Sequence, residues 1–101
     1  LIGIRLINFR VPPYITNTSM DFIIIDTAGK TYNSNSWVLM IVGMIVTDMS
    51  TEGYYGFDAI TVIKNDGYWY VRRRNDNGVK NDLIVNILCM PKKFFETIDP
   101  Y

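Results

Sequence analysis

The sequence contains no histidine. That excludes the Ser-His-Asp and Cys-His arrangements of nucleophilic catalysis and any metal site built on imidazole. Cysteine occurs once, at Cys89, so no disulfide can form within the chain. Cys89 lies in the apolar run LIVNILCM, where a thiol is expected to be buried and inert rather than nucleophilic. Net charge is also missing, because ten Lys and Arg balance ten Asp and Glu. No global field therefore draws the chain to nucleic acid or to an anionic membrane. Long apolar runs are absent too. The longest uncharged one, WVLMIVGMIV at 37–46, has about half of the ~20 residues that a membrane helix needs, so no membrane insertion is expected. The N-terminal LIGIRLINFR carries Arg5 inside its apolar part and lacks a small-residue cleavage site, so it does not read as a signal peptide. There is no initiator Met and strand-like text begins at Leu1, so the chain is expected to be a domain of something longer.

What is present is the vocabulary of β-structure. The 101 residues are 49% apolar, enough for one domain with a single core. Nine Asn and seven Gly punctuate short runs of Ile, Val, Tyr, Phe and Trp, the pattern of strands separated by turns. Strands are expected at 2–10, 21–25, 37–46, 58–64, 68–74 and 82–90, with a short return near 30–33. Pro12-Pro13 ends the first, since proline cannot donate to a central ladder. Asp66-Gly67 and Asn77-Gly78 are hairpin dipeptides, because both central positions of a type I′ turn need positive φ. They predict that the last three strands form a meander. KKFFET, 92–97, has the composition of one helical turn. The fold expected is an all-β antiparallel sandwich or jelly-roll-like barrel of six to seven strands, ending in a three-stranded meander.

Alternation sorts the faces. Leu83, Val85, Ile87 and Cys89 share one side of their strand, and Trp69 with Val71 reads as core opposite Tyr68 and Tyr70. The strand 37–46 is apolar on both sides. Trp37, Leu39, Ile41 and Ile45 fall on one, and Val38, Met40, Val42, Met44 and Val46 on the other. A strand of that kind must be covered twice. Its second cover is either the domain's own loops or another subunit, and the adaptable Met40, Met44 and Met49 lie in or just after it.

The segment FIIIDTAGKT, 22–31, borrows from several enzyme signatures. A phosphate loop needs Gly, four residues, then Gly-Lys-Ser/Thr. Here the first glycine is replaced by Ile24, and TYNSNSW after the lysine is not helical text. A retroviral-type aspartic protease needs Asp-Thr/Ser-Gly, but Ala28 occupies the glycine position, and Ile41-Val42-Gly43 comes too early for the later element. A turn explains all four residues of D-T-A-G, with Asp at the first position and Gly at the fourth. Asp48 and Glu52 are within reach of each other in TDMSTEGYYG, as a glycosidase pair would be. Acids in a Gly-rich loop also arise as solvated turn residues. Arg72-Arg73-Arg74 alternates faces on a strand and points to ion pairing rather than to nucleic acid. Tyr54, Tyr55, Tyr68 and Tyr70 combine flat apolar rings with polar tips, which suits binding interfaces as well as sheet packing.

NDGYWYVRRRND followed by LIVNILCMPKKFF resembles the end of tip domains of tailed-phage tail fibres and related receptor-binding proteins. Gly67, Trp69, Tyr70, Val71 and Arg72 stand in the family's Gly-x-Trp-Tyr-Val/Ile-Arg strand, and Val85 with Ile87 in its last apolar strand. YNSNSWVLMIVG before them also fits that setting. The resemblance covers about half of the chain and implies a virion location, a homotrimeric all-β head at the C-terminal tip of a longer fibre, no catalysis, and a host cell-surface glycan or protein as partner. A structural virion module, such as a head-fibre, baseplate or capsid-decoration domain, is the second reading, and a protease or glycan hydrolase the third. The residues themselves nominate Asp48, Glu52, Tyr54 and Tyr55 for receptor contact. They nominate Val38, Met40, Val42, Met44, Tyr68 and Tyr70 for a subunit interface. No cofactor, metal or nucleic acid is expected.

Overall fold

The computed structural model of the chain describes residues 3–13, 17–47, 59–75, 79 and 81–96. Six strands run β1 (Arg5–Val11), β2 (Thr18–Ile23), β3 (Trp37–Val46), β4 (Ala59–Asn65), β5 (Tyr68–Asn75) and β6 (Leu83–Pro91), followed by the short helix α1 (Lys92–Glu96). They form two antiparallel three-stranded sheets, in the orders β1-β6-β3 and β2-β5-β4. The inner faces of the two sheets share one core, so the architecture is the expected all-β sandwich.

The central strands carry that core. On β6, Leu83, Val85, Ile87 and Cys89 are fully buried, flanked in the same sheet by Val11 and Leu39, and Trp69 and Val71 of β5 join them in the core with Ile24 and Tyr32. Burial pushes the Cys89 thiol up to about 11, which keeps it protonated and inert. Arg73 follows on the same inner face. It is 1% exposed, and its Nη1 donates to the carbonyls of Val11 (2.8 Å) and Asn81 (3.1 Å). Charge-assisted bonds to carbonyls that precede or end strands of the opposite sheet offset the cost of burying the guanidinium.

The β4–β5 hairpin turns at Asp66-Gly67 as expected, with φ of 51° and 80°. The three-stranded meander does not form. β5 and β6 lie in different sheets, each with a partner on both edges, so no edge remains for them to pair. The connection from Asn75 to Leu83 crosses from one sheet to the other, and Asn75 holds it by accepting from Val79 N at 3.0 Å. Asn77-Gly78 lies outside the described residues.

A β-bulge corrects the faces of β3. Ile41 pairs with Ile87 but Gly43 pairs with Asn86, so Val42 is the extra residue. Past that point the alternation flips. Met44, opposite Val85, packs against the core, whereas Ile45, opposite Ile84, is 54% exposed. The apparent two-faced apolarity of this strand is thus partly a change of phase.

Ile87→Ala should cost about 2–5 kcal/mol, because the cavity falls between two sheets that cannot close on it. Thr61→Ala, exposed on the outer side of β4, should stay within about 0.5 kcal/mol. Urea denaturation of both variants measures the contrast.

Candidate functional site

Four separate segments converge at the end of the sandwich where β1 and β3 begin and β6 ends. Trp37 opens β3 opposite Pro91, the last residue of β6. Ser36 O accepts from Lys92 N at 2.8 Å, which fastens the start of α1 to the turn before β3. Asn33 shapes that turn, with its Oδ1 accepting from Ser36 N (2.8 Å) and its carbonyl from Trp37 N (3.1 Å). Between these segments and Arg5 of β1 lies a cleft of about 580 Å³. Trp37 and Pro91 supply its apolar lining, and Arg5, Lys30, Lys92 and Lys93 its charge.

The fourth segment is the turn of D-T-A-G. Gly29 N donates to Asp26 O (2.9 Å) and Asp26 N to Lys30 O (3.0 Å), and Ile25 bridges Thr31. Gly29 has a φ of 80°, which closes the turn as a bulge that a side chain would strain. This is the reverse turn that the residues predict. Ile24, where a phosphate loop needs its first glycine, is fully buried.

Asp26 organises the turn from inside. Its Oδ1 accepts from Lys30 N and Ala28 N, both at 2.9 Å. Its Oδ2 accepts from the Tyr32 hydroxyl at 3.0 Å and lies 3.4 Å from Arg5 Nη1. The Lys30 amide, then the Tyr32 hydroxyl, the Ala28 amide and Arg5, hold the Asp26 carboxyl below its ordinary range against the opposing effect of burial. Tyr32 is pushed up to about 12, first by burial and then by its bond to Asp26. Its ring meets Trp37 edge-on, with centroids 4.9 Å apart and planes at 82°. Lys30 reaches over both rings, its Nζ 4.3 Å from the Trp37 centroid and 5.3 Å from that of Tyr32.

The nominated residues divide. Asp48, Glu52, Tyr54 and Tyr55 lie outside the described residues. Val38 and Met40 stand on the outer face of the β1-β6-β3 sheet, half-buried, with Met40 in one row with Leu88 and Leu6. Val42, at the bulge, is 54% exposed. Met44 leaves the group for the core, as the phase change requires. Tyr68 and Tyr70 are on the outer face of the other sheet, so the six residues do not form one surface. Beside them, Arg72 pairs with Asp21 through two bonds of 2.8 and 3.0 Å, the ion pairing expected of the arginine run.

The cleft itself was not nominated. Its cations are scattered at 5, 30, 92 and 93, and nothing local in the text announces that they meet. The only signal was the placement of Gly29-Lys30 and Lys92-Lys93 immediately beside turns and strand ends. Among the described residues no group of three or more Cys, Asp or Glu is placed to hold a metal ion, and no helix is long and apolar enough to cross a membrane. Comparisons with protein-family models, with curated proteins and with solved structures each return no significant match.

The Asp26 network fixes a pH dependence. A depressed carboxyl contributes stability that is present above its unfolded pKa of about 3.9 and is lost as pH falls through its lower folded value. A phenol raised from 10.0 to about 12 contributes stability present below pH 10 and lost as pH climbs to 12. Asp26→Asn should therefore flatten the acid limb of the melting-temperature profile relative to the parent. Thermal melts from about pH 2 to pH 7 test it. Parallel acid limbs would remove Asp26 from this role.

Proposed function

We propose that the chain is a non-catalytic recognition module, the receptor-binding tip of a phage tail fibre, which takes a host cell-surface glycan into the Trp37 cleft. The observation that carries recognition is the cleft. It has a small-ligand volume, an aromatic and proline lining, and polar groups converging from four segments of a rigid sandwich. The fibre assignment rests on the resemblance of the β5 and β6 strands to tail-fibre tips.

The outer face of the β1-β6-β3 sheet supports self-association in the same reading. Leu6 is 63% exposed and Val42 and Ile45 each 54%, and Val38, Met40, Ile84, Leu88 and Met90 lie among them, half-buried. Arg10 is the charged residue of these rows, and it is neutralised by Asp82 at 2.9 Å. Between the apolar rows Asn86 Nδ2 donates to Asn8 Oδ1 at 2.6 Å, and a largely apolar face whose polar groups are paired within it suits identical copies better than a charged partner. That face also favours the second reading, a structural virion module that only assembles.

Two measurements separate the readings. Sedimentation should give a species of three times 11.7 kDa, reduced to monomer by Met40→Asp, whose charge would lose its solvation in an apolar contact. A monomeric parent chain overturns the trimer. An array of bacterial surface polysaccharides should show selective binding, abolished by Asn35→Trp, which fills the cleft from an exposed turn position. A trimer that binds no polysaccharide would be the structural module instead.

A further inference from the structure

We infer that the Trp37 cleft is specific for a saccharide carrying an anionic group, a phosphate or a carboxylate. This rests on the glycan reading of the same cleft and adds the chemical class of its ligand.

The chain as a whole is neutral, yet its charge is segregated here. Arg5, Lys30, Lys92 and Lys93 line the cleft, and no acidic residue does among the described residues. Asp26, a carboxylate bonded to the cleft's Arg5, is already engaged by two backbone amides and the Tyr32 hydroxyl as well. It therefore offsets Arg5 rather than the lysines. Among the described residues Lys30, Lys92 and Lys93 pair with no carboxylate.

Lys30 is the informative one. It is half-buried, and its ammonium is held over the faces of Trp37 and Tyr32 rather than extended into solvent. Its backbone is fixed on both sides, with N–H given to Asp26 Oδ1 and the carbonyl receiving Asp26 N–H. A cation restrained in this way, against an apolar floor that excludes water on one side, is organised in advance for an anion and loses little freedom on binding one. Lys92 and Lys93 line the same cleft from the start of α1, anchored by the Lys92 N–H to Ser36 O bond. Lys30 and the lysine pair are therefore the cations offered to the anion.

The floor decides what carries the anion. Trp37 and Pro91 present C–H and ring surface of the kind that packs on the apolar face of a pyranose. Asn35 and Ser36 at the rim add amide and hydroxyl groups for sugar hydroxyls. Nucleic acid fits less well. A strand-tracking site needs cations along a groove and several stacking rings, whereas here the cations cluster at one end around a single accessible tryptophan.

The test is an amide-shift titration of the ¹⁵N-labelled chain with glucose 1-phosphate, glucuronic acid, glucose, inorganic phosphate and a thymidine octamer. Glucose 1-phosphate or glucuronic acid should shift residues 30–37 and 91–93 saturably, and glucose should bind at least about tenfold more weakly. The preference should shrink as salt rises past physiological strength, where the screening length falls below about 8 Å. Lys92→Ala with Lys93→Ala, both exposed positions, should weaken the acidic sugar about tenfold and leave the melting temperature unchanged. Glucose binding as tightly as its phosphate would overturn the anionic specificity while leaving the glycan reading intact. Inorganic phosphate binding as tightly as the sugar phosphate would overturn the saccharide. Tightest binding by the octamer would assign the cleft to single-stranded nucleic acid and overturn both. No saturable shift with any sugar, together with a silent polysaccharide array, would remove the glycan reading itself.

Discussion

Both sheets depend on a single constraint: β5 and β6 are central, each hydrogen-bonded on both edges and facing the other across the core. A strand with both edges filled cannot slip by one residue without turning its whole buried row to solvent. For β6 that row is Leu83, Val85, Ile87 and Cys89, each fully buried. At about 1.5–3 kcal/mol for each large side chain buried, a slip would forfeit most of the stability a domain of this size has. The register of the other four strands is then inherited. β1 and β3 read it from β6, and β2 and β4 from β5.

The two ends of the sandwich are closed by polar devices of different kinds. At one end Arg73 and Asn75 continue the inner row of β5 and take backbone groups as partners, which forces the chain after Asn75 to cross to the other sheet. At the other end Asp26 gathers two amides, a phenol and an arginine, and Trp69 Nε1 donates to Trp37 O at 2.9 Å. The first end uses backbone carbonyls as acceptors and leaves its arginine buried. The second uses a carboxylate and leaves cations exposed at the surface. The cleft lined by Arg5, Lys30, Lys92 and Lys93 lies at the second end.

Most of this was legible where physics is local. Alternation located all six strands, and Asp66-Gly67 and D-T-A-G declared their turns because positive φ at Gly67 and Gly29 leaves few alternatives to glycine. Two features escaped because they are set by partners rather than by neighbours in sequence. The bulge at Val42 exists only relative to β6, and a bare alternation rule carried its phase straight through it, exchanging Met44 and Ile45. Asn77-Gly78 reads as a hairpin where the chain instead crosses from β5 to β6, because Asn-Gly permits a tight turn without requiring one and nothing local shows that both strands already have two partners. The cleft was the least visible, since cations at 5, 30, 92 and 93 become neighbours only once β1, β3 and β6 are side by side.

The bulge also separates the two surfaces that the proposed function uses. Before it, β3 sends Trp37, Leu39 and Ile41 inward, and Trp37, at the strand's first residue, is left at the rim where it floors the cleft. After it, Met44 takes over the inward role and Ile45 joins the outer apolar rows. If the pairing ran on without the bulge, Val42 would meet Asn86, Met44 would face outward, and Gly43, with no side chain for the core, would stand opposite Val85 where a flexible Met packs now. One strand therefore contributes its beginning to the lining of the cleft and its second half to the apolar outer face. A copy seated on that outer face would leave the cleft open at the end of the sandwich, so that assembly and recognition do not compete for the same side chains.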